Sequence, residues 1–386
     1  MNPFPHVKNY LVINKKSLHI VCHDVPYPAD YGGVYDLLYK IRSLFENGVL
    51  IHLHCFEYGR GKQPELNKYC ESVTYYTRNT TLKNLSFSLP YIVKSRADPS
   101  LLNNLLKDDS PILLEGIHCT YFLFKKQLKN RKVIVRLHNV EYKYYTELAK
   151  TTRNIFKKIY FLSESFLLKK YEKNISNDAV FLAVSDKDKS TYIKKLNSKC
   201  VIYLPVFLPF SEVKSVPGNG TFCLYHGNLS VPENEKAVLW ILKNVFNSIK
   251  IPFVIAGRSP SKFLERVALQ NKNVCVVANP SQAEMNDLIK KAHVHILPSF
   301  NNTGIKIKLL NALFNGKFVL ANNTAVEGSG LRDLCEIAES GDEYIILLSH
   351  LFSVSFSENN IEERKKILNS VYNNDANARR LMQLIW

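Results

Sequence analysis

Short apolar runs and longer amphipathic stretches alternate along almost the whole chain. "SLHIVCHDV" (17–25) predicts a strand that ends in turn residues. "DYGGVYDLLYKIRSLFENG" predicts a helix with Leu37, Leu38, Ile41, Leu44 and Phe45 on one face and Gly48 as its stop. Strand-like runs follow in "LIHLHCF", "SVTYYT", "PILLEGI", "KVIVRLHNV" and "AVFLAVS", several of them separated by helical patterns. This alternation predicts an α/β fold built on a parallel, doubly wound sheet. Behind "CVIYLPVFLP", the polar stretch "FSEVKSVPGNG" reads as a linker. A second series then runs through "TFCLYHGNL", a helix in "EKAVLWILKNVF", "PFVIAGR", a helix around 260–270, "NVCVVAN", a helix over 281–292, "HVHILPS", a helix in "TGIKIKLLNALFNG" and "KFVLAN".

The expected organisation is therefore a domain over 1–207, a linker over 208–220, a second domain over 221–360 and a helical segment over 361–386. Two Rossmann-like halves imply a cleft, with ligands beyond the carboxyl ends of the strands. The last segment ends on Leu381, Met382, Leu384, Ile385 and Trp386. An apolar terminus of this kind predicts packing back onto the first domain, with membrane contact as the alternative.

Composition sharpens this picture at two points. A formal net charge of +17 favours anionic partners such as nucleotides or acidic lipid headgroups. The basic residues are dispersed and form no recognisable binding module, which argues against nucleic acid. The eight cysteines stand singly, several in apolar runs such as "HIVCH" and "NVCVVAN", and read as buried free thiols of a reducing compartment rather than a zinc site. The first residues lack the basic-then-apolar pattern of a signal peptide, and no apolar run nears the roughly 20 residues of a membrane span. A cytoplasmic protein is expected. The stretch "RNIFKKIYFLSESFLLKK" (153–170), with Lys157, Lys158, Lys169 and Lys170 around aromatic and aliphatic residues, reads either as a core helix with solvated lysines or as a surface for anionic membranes at the inner face.

The residues with chemistry sit at the strand-to-loop junctions. Gly32 and Gly33 precede the first helix and let a backbone approach a ligand. His118 and His138 lie just past two strand ends, with Glu115, Arg136 and Glu141 beside them; their spacing offers no third metal ligand. Arg258 follows a small-residue strand end, Ala256-Gly257, and suits a phosphate. Lys306 and Lys308 stand at the start of a helix, where a cation is unfavourable unless an anion binds there. Solvated snorkelling is the competing reading of both lysines. In "SDKDKS" (185–190), Asp186 and Asp188 are explained as first-turn acids behind a capping serine, so no metal is assigned.

"DYGGVYDLL", "RLHNVE", "FLAVSDKD", "YHGNLSVPENEKA", "VIAGRSP" and above all "HVHILPSFNNTGIKIKLLNALFNGKFVLANNTAVEGSG" together resemble the retaining glycosyltransferases of the GT-B fold. The resemblance covers nearly the whole chain. It implies an acceptor-side first domain and a nucleotide-sugar-binding second domain. It further implies a metal-independent transfer from a nucleotide-sugar donor to a lipid-linked or oligosaccharide acceptor, with no cofactor. By the same resemblance Lys306 and Lys308 bind the donor diphosphate, and His118 and His138 contact the transferred sugar. Thr303 and Asn311 occupy the positions of a glutamate pair found in many relatives, and Asn228 and Asn234 lie near the positions of an Arg and a Lys. Thr303, Gly304, Asn311, Asn228 and Arg258, with Gly32 and Gly33, complete the expected donor site. Two alternatives stay open, a sugar- or nucleotide-binding protein of the same fold and a GT-B-fold nucleotide-sugar epimerase.

Overall fold

A computed structural model describes residues 16–29, 32–57, 59–81, 86–152, 154–301 and 303–386. Asp30 and Tyr31 of the glycine motif, Arg153 and the first fifteen residues lie outside the described part. Thirteen strands form two sheets among the described residues. In the first domain these are β1 (Ser17–Cys22), β2 (Leu50–Glu57), β3 (Ser72–Thr77), β4 (Ile112–Glu115), β5 (Val133–Leu137), β6 (Val180–Ala183) and β7 (Val201–Tyr203). They lie in the order β3-β2-β1-β4-β5-β6-β7, and every pairing is parallel. The second domain holds β8 (Cys223–Asn228), β9 (Phe253–Arg258), β10 (Val274–Ala278), β11 (Val294–Ile296), β12 (Phe318–Ala321) and β13 (Glu336–Ile337), in the order β10-β9-β8-β11-β12-β13, again all parallel.

In both sheets the first strand of the domain is central and the order reverses beside it, between β1 and β4 and between β8 and β11. That reversal opens a crevice at the carboxyl ends of the strands. The central strands β1, β4 and β5 are buried almost throughout, as expected of strands covered by helices on both faces. The architecture is the GT-B arrangement of two Rossmann-like domains.

Two local readings are corrected, and one short strand was not foreseen. Phe45 is exposed rather than part of the core face of the helix Gly32–Glu46, because it lies at the rim of that face, edge-on to Tyr69. Cys275 and Cys200 are exposed thiols; Cys275 sits on the edge strand β10, which is covered on few sides. β13 is only two residues long and carries too little pattern to be seen in sequence.

The chain returns to its beginning in two steps. The helix Glu358–Val371 packs on the second domain, where the buried Arg364 guanidinium donates to the carbonyls of Leu313, Gly316 and Lys317. The helix Asn374–Ile385 then lies along Gly32–Glu46, with Ala378, Leu381 and Ile385 in the core of the first domain. The stretch between the domains is likewise anchored: Lys214 N donates to Phe314 O at 2.6 Å and Gly218 N to Phe356 O at 2.8 Å. Leu381→Ala is expected to cost about 2–5 kcal/mol of stability, read by urea unfolding; an unchanged midpoint would show that this helix is not part of the first domain's core.

Candidate active site

The second domain contributes the loop after β11 and the helix Ile307–Asn315. This helix is apolar on its buried side through Leu309, Leu310, Ala312, Leu313 and Phe314, which anchors it to the sheet. Lys306 occupies its N-cap, where a lysine has no oxygen to offer the free amides, and its Nζ donates to Thr303 O at 2.7 Å. Lys308 is half-buried and turns its ammonium inward. Its Nζ donates to Tyr225 Oη at 2.7 Å and Asn234 Oδ1 at 2.9 Å, and it lies 4.5 Å from the Tyr225 ring centre. Neither lysine forms an ion pair among the described residues, and both ammonium groups donate to protein acceptors instead of extending into water.

Burial pushes the Lys308 ammonium down to about 7, with Lys306 acting in the same direction and Glu233 against it. Burial also lowers Lys306. The nearby His226 is pushed down to about 3, first by burial and then by Lys308. Glu233 itself accepts from Asn301 Nδ2 at 2.5 Å. Asn301 in turn receives the backbone amide and hydroxyl of Thr303, both at 2.9 Å, which fixes the turn leading to Gly304.

The remaining donor-side residues are placed as follows. Asn228 ends β8, where its Oδ1 accepts from Ser230 and its carbonyl from Asn234 Nδ2 at 2.8 Å. Arg258 is exposed at the end of β9, in register with Asn228. The space beside Gly257 is filled by β8: a Cβ there would stand 1.9 Å from Gly227 O, so this glycine serves strand packing and not ligand approach. Asn311 Oδ1 accepts from Asn315 Nδ2 at 2.9 Å, one turn on. Tyr225 and Asn234 hold Lys308; Asn234 stands out in the sequence only by its place near a basic position of the resembled family, and for Tyr225 the sole signal is a hydroxyl on a central strand, which must find a partner when buried.

Across the cleft, the first domain builds a charged cluster inside its core. Asp36 and Lys40 lie one turn apart on the helix Gly32–Glu46, and Lys40 Nζ bridges Asp36 Oδ2 and Glu115 Oε1, both at 2.9 Å. Arg136 grips Asp36 with Nε at 3.0 Å and Nη2 at 2.9 Å, and donates to the carbonyls of Leu204 and Pro205. Asp36 Oδ1 also takes the amide of Phe207 at 2.8 Å. All four side chains are buried, and two cations balance two carboxylates. Burial alone would raise the Asp36 carboxyl, but Arg136 and Lys40 outweigh it and hold it far below the usual range. Arg136 is thus a strut of the core and not a ligand-facing group.

Glu115 passes this order to His138, whose Nε2 lies 3.1 Å from Glu115 Oε2. Asp36, Glu115 and His138 bring three possible metal-ligand atoms within 4.8 Å, a gathering that sequence spacing did not reveal. The set does not suit a divalent ion, because both carboxylates are already neutralised by Lys40 and Arg136 and further positive charge would be repelled. His118 stacks on His23, ring centres 5.0 Å apart, and His23 meets His138 edge-on at 5.5 Å. Three imidazoles thus lie just past the ends of the adjacent strands β1, β4 and β5. Nδ1 of His23 and of His118 is buried without a partner. Burial lowers both rings well below the ordinary histidine range, so they stand neutral at pH 7. Glu141 is turned away into an acidic cluster with Glu172 and Asp188, and burial, then Glu172, raises it to about 8. Ser185 caps the helix Asp186–Leu196 by accepting from Asp188 N, the role assigned to that motif.

The two halves touch through glycines. A Cβ on Gly32 would lie 3.1 Å from Ile307 Cγ1, so this position makes room for the second domain's helix; Gly33 is the next residue of its own helix. Gly304, at φ +62°, would meet Asn139 Oδ1 at 2.6 Å and His138 O at 3.4 Å. Lys187 pairs with Glu327 at 2.6 Å on the same side. The loop leading to the lysine-bearing helix therefore lies against the strand end that carries His138.

Residues 220–348 match the family model for glycosyl transferases group 1. The match spans the second domain from β8 into the helix that follows β13. The chain is 27% identical over 365 residues to an uncharacterized 44.6 kDa protein in the cps region of Klebsiella pneumoniae, covering 89% of this chain and 92% of that one. A glycosyltransferase from Rickettsia africae superposes with a TM-score of 0.67 at 14% identity, over 96% of this chain and 98% of the other. The Anabaena protein HepE, solved in complex with UDP and glucose, gives 0.64 at 12% identity, over 95% and 98%. At these identities the structural likeness speaks for the GT-B fold.

The matched region contains Asn228, Arg258, Thr303, Gly304, Lys306, Lys308 and Asn311; the histidines and the buried charge cluster belong to the other half. Asp36→Asn removes one of two carboxylates facing two buried cations and is expected to cost about 3–5 kcal/mol, whereas disrupting the exposed pair Glu362–Lys365 should leave the unfolding midpoint almost unchanged. Urea unfolding of both variants checks the contrast, and equal losses would refute it.

Proposed function

We propose that the protein transfers a sugar from a nucleotide-sugar donor to a lipid-linked or oligosaccharide acceptor in surface-polysaccharide synthesis, without a metal and with retention of configuration. The observation that carries this reading is Lys308: a buried ammonium beside Lys306, held by neutral groups only, at the head of a helix that faces the cleft. A diphosphate there supplies the missing negative charge and also meets the free amides of the helix N-terminus. As the glycosidic bond to the diphosphate breaks, charge grows on the leaving oxygens. Lys306 and Lys308, with Arg258 from the end of β9, stabilise it from fixed positions. Lys306 exchanges its bond to the Thr303 carbonyl for the phosphate oxygen. His23 and His118 offer neutral ring nitrogens to sugar hydroxyls, and His138 is oriented for the same task by Glu115.

The cps-region relative supports a place in capsule-type polysaccharide synthesis, and the UDP found with HepE supports a nucleotide diphosphate as the donor's leaving group. Asn311, occupied with Asn315, favours a second reading in one respect: it brings no carboxylate to the donor, as a binding protein of this fold would also show. Release of nucleoside diphosphate that depends on added acceptor separates transferase from binder.

Lys306→Ala and Lys308→Ala are each expected to lower turnover by about 10²–10³-fold, with the folded state retained by circular dichroism. Turnover unchanged in both variants would remove the donor-site assignment. His118→Ala is expected to weaken turnover by a smaller factor, about tenfold, for the loss of one hydrogen bond to the sugar; steady-state kinetics over the same donor panel reads it.

A further inference from the structure

The helix Ile155–Ile175 in the first domain has two apolar sides, and only one of them has a partner in the fold. Glu164, Leu168, Tyr171 and Ile175 share its buried side; Leu168, Tyr171 and Ile175 sit in the core while Glu164 accepts the amide of Tyr91. At about 100° per residue, Ile155, Ile159, Leu162 and Phe166 fall within an arc of about 60° on the opposite side. Their exposures are 60, 59, 49 and 72%, and Phe156 beside them is 79% exposed. A row of large apolar side chains at i, i+4, i+7 and i+11 facing away from the protein is a contact surface and not scattered exposure.

Charge decides what it contacts. Lys157, Lys158, Lys169, Lys170 and Lys173 are the exposed charged residues of this helix, and its two acids, Glu164 and Glu172, are buried. A second copy of the same face would set these lysines against lysines. An anionic lipid surface instead takes the apolar row into its headgroup–acyl boundary and pairs the lysines with headgroup phosphates. We infer that this face binds an anionic phospholipid bilayer, with the helix lying in the plane of the interface. No helix is long and apolar enough to cross a membrane among the described residues, so contact through this side is peripheral. The inference goes beyond the transferase reading and does not require it: the face is separate from the donor lysines and from the histidine cluster.

The test is co-sedimentation of the full chain with vesicles of phosphatidylcholine alone or mixed with phosphatidylglycerol, at low and high salt, without donor or acceptor. Binding is expected to the mixed vesicles, to weaken at high salt, and to fall by about tenfold or more in Ile159→Ser/Phe166→Ser. These side chains are exposed, so the variant should unfold at the same temperature as the parent. Lysine-to-glutamate changes at Lys158 and Lys170 are expected to reduce binding comparably and to flatten the salt dependence. The inference is overturned if the parent stays in the supernatant with the mixed vesicles at low salt, or if the serine variant binds like the parent. A dimer seen by sedimentation velocity that vanishes in the serine variant, without vesicle binding, overturns it in favour of self-association. Because donor and acceptor are absent, failure here leaves the donor-site assignment untouched.

Discussion

Lys308 keeps its ammonium group inside the second domain on two neutral acceptors, the Tyr225 hydroxyl and the Asn234 carboxamide. A buried charge normally finds an opposite one, and the first domain shows how this chain does so elsewhere: Lys40 and Arg136 are met by Glu115 and Asp36 with short, well-aligned bonds. The contrast gives each half a distinct task. The satisfied cluster is rigid scaffolding, tying the first helix to β4, β5 and the chain leading to the second domain, and it turns His138 toward the cleft. In the proposed reading, the lysine without an opposite charge takes an anion from outside. Burial makes the site weakly charged when empty and strongly attractive once a diphosphate completes it.

Much of this was legible in the sequence, for identifiable reasons. Alternating apolar runs revealed both parallel sheets because strands buried on two faces leave long unbroken signals, while two-residue β13 left none. The lysines at the helix start were legible because a cation there contradicts the helix dipole. Their pairing with Tyr225 and Asn234 was not, since these lie 83 and 74 residues away from Lys308 and meet it only in the folded state. The same holds for the charge cluster. Asp36 and Lys40 read as ordinary polar positions of an amphipathic helix; only the fold turns them inward against Glu115 and Arg136. His23 went unnoticed beside His118 and His138 because strand order, not chain order, makes the three neighbours.

The helix Ile155–Ile175 shows the limit of periodicity in another way. A helix apolar on two opposite sides has no clear polar face, so the sequence supports a core helix and a surface helix equally. Packing separates the two sides: one is spent on the core of the first domain and the other remains for a partner. Its lysines, and the +17 charge of the whole chain, point that partner toward an anionic surface.

The central claim, that Lys308 awaits a diphosphate, has a direct thermodynamic signature. With its ammonium near 7 when the site is empty, most of Lys308 is neutral at pH 8, and a bound diphosphate favours the charged form. Binding must then take up a proton above pH 7 and little below pH 6, so affinity weakens as pH rises. Calorimetric titration with uridine, guanosine and adenosine diphosphates at pH 8, in two buffers of different ionisation enthalpy, measures this uptake. The account predicts close to one proton taken up per nucleotide bound, lost in Lys308→Met; tight binding without proton uptake, or uptake unchanged in that variant, would contradict it.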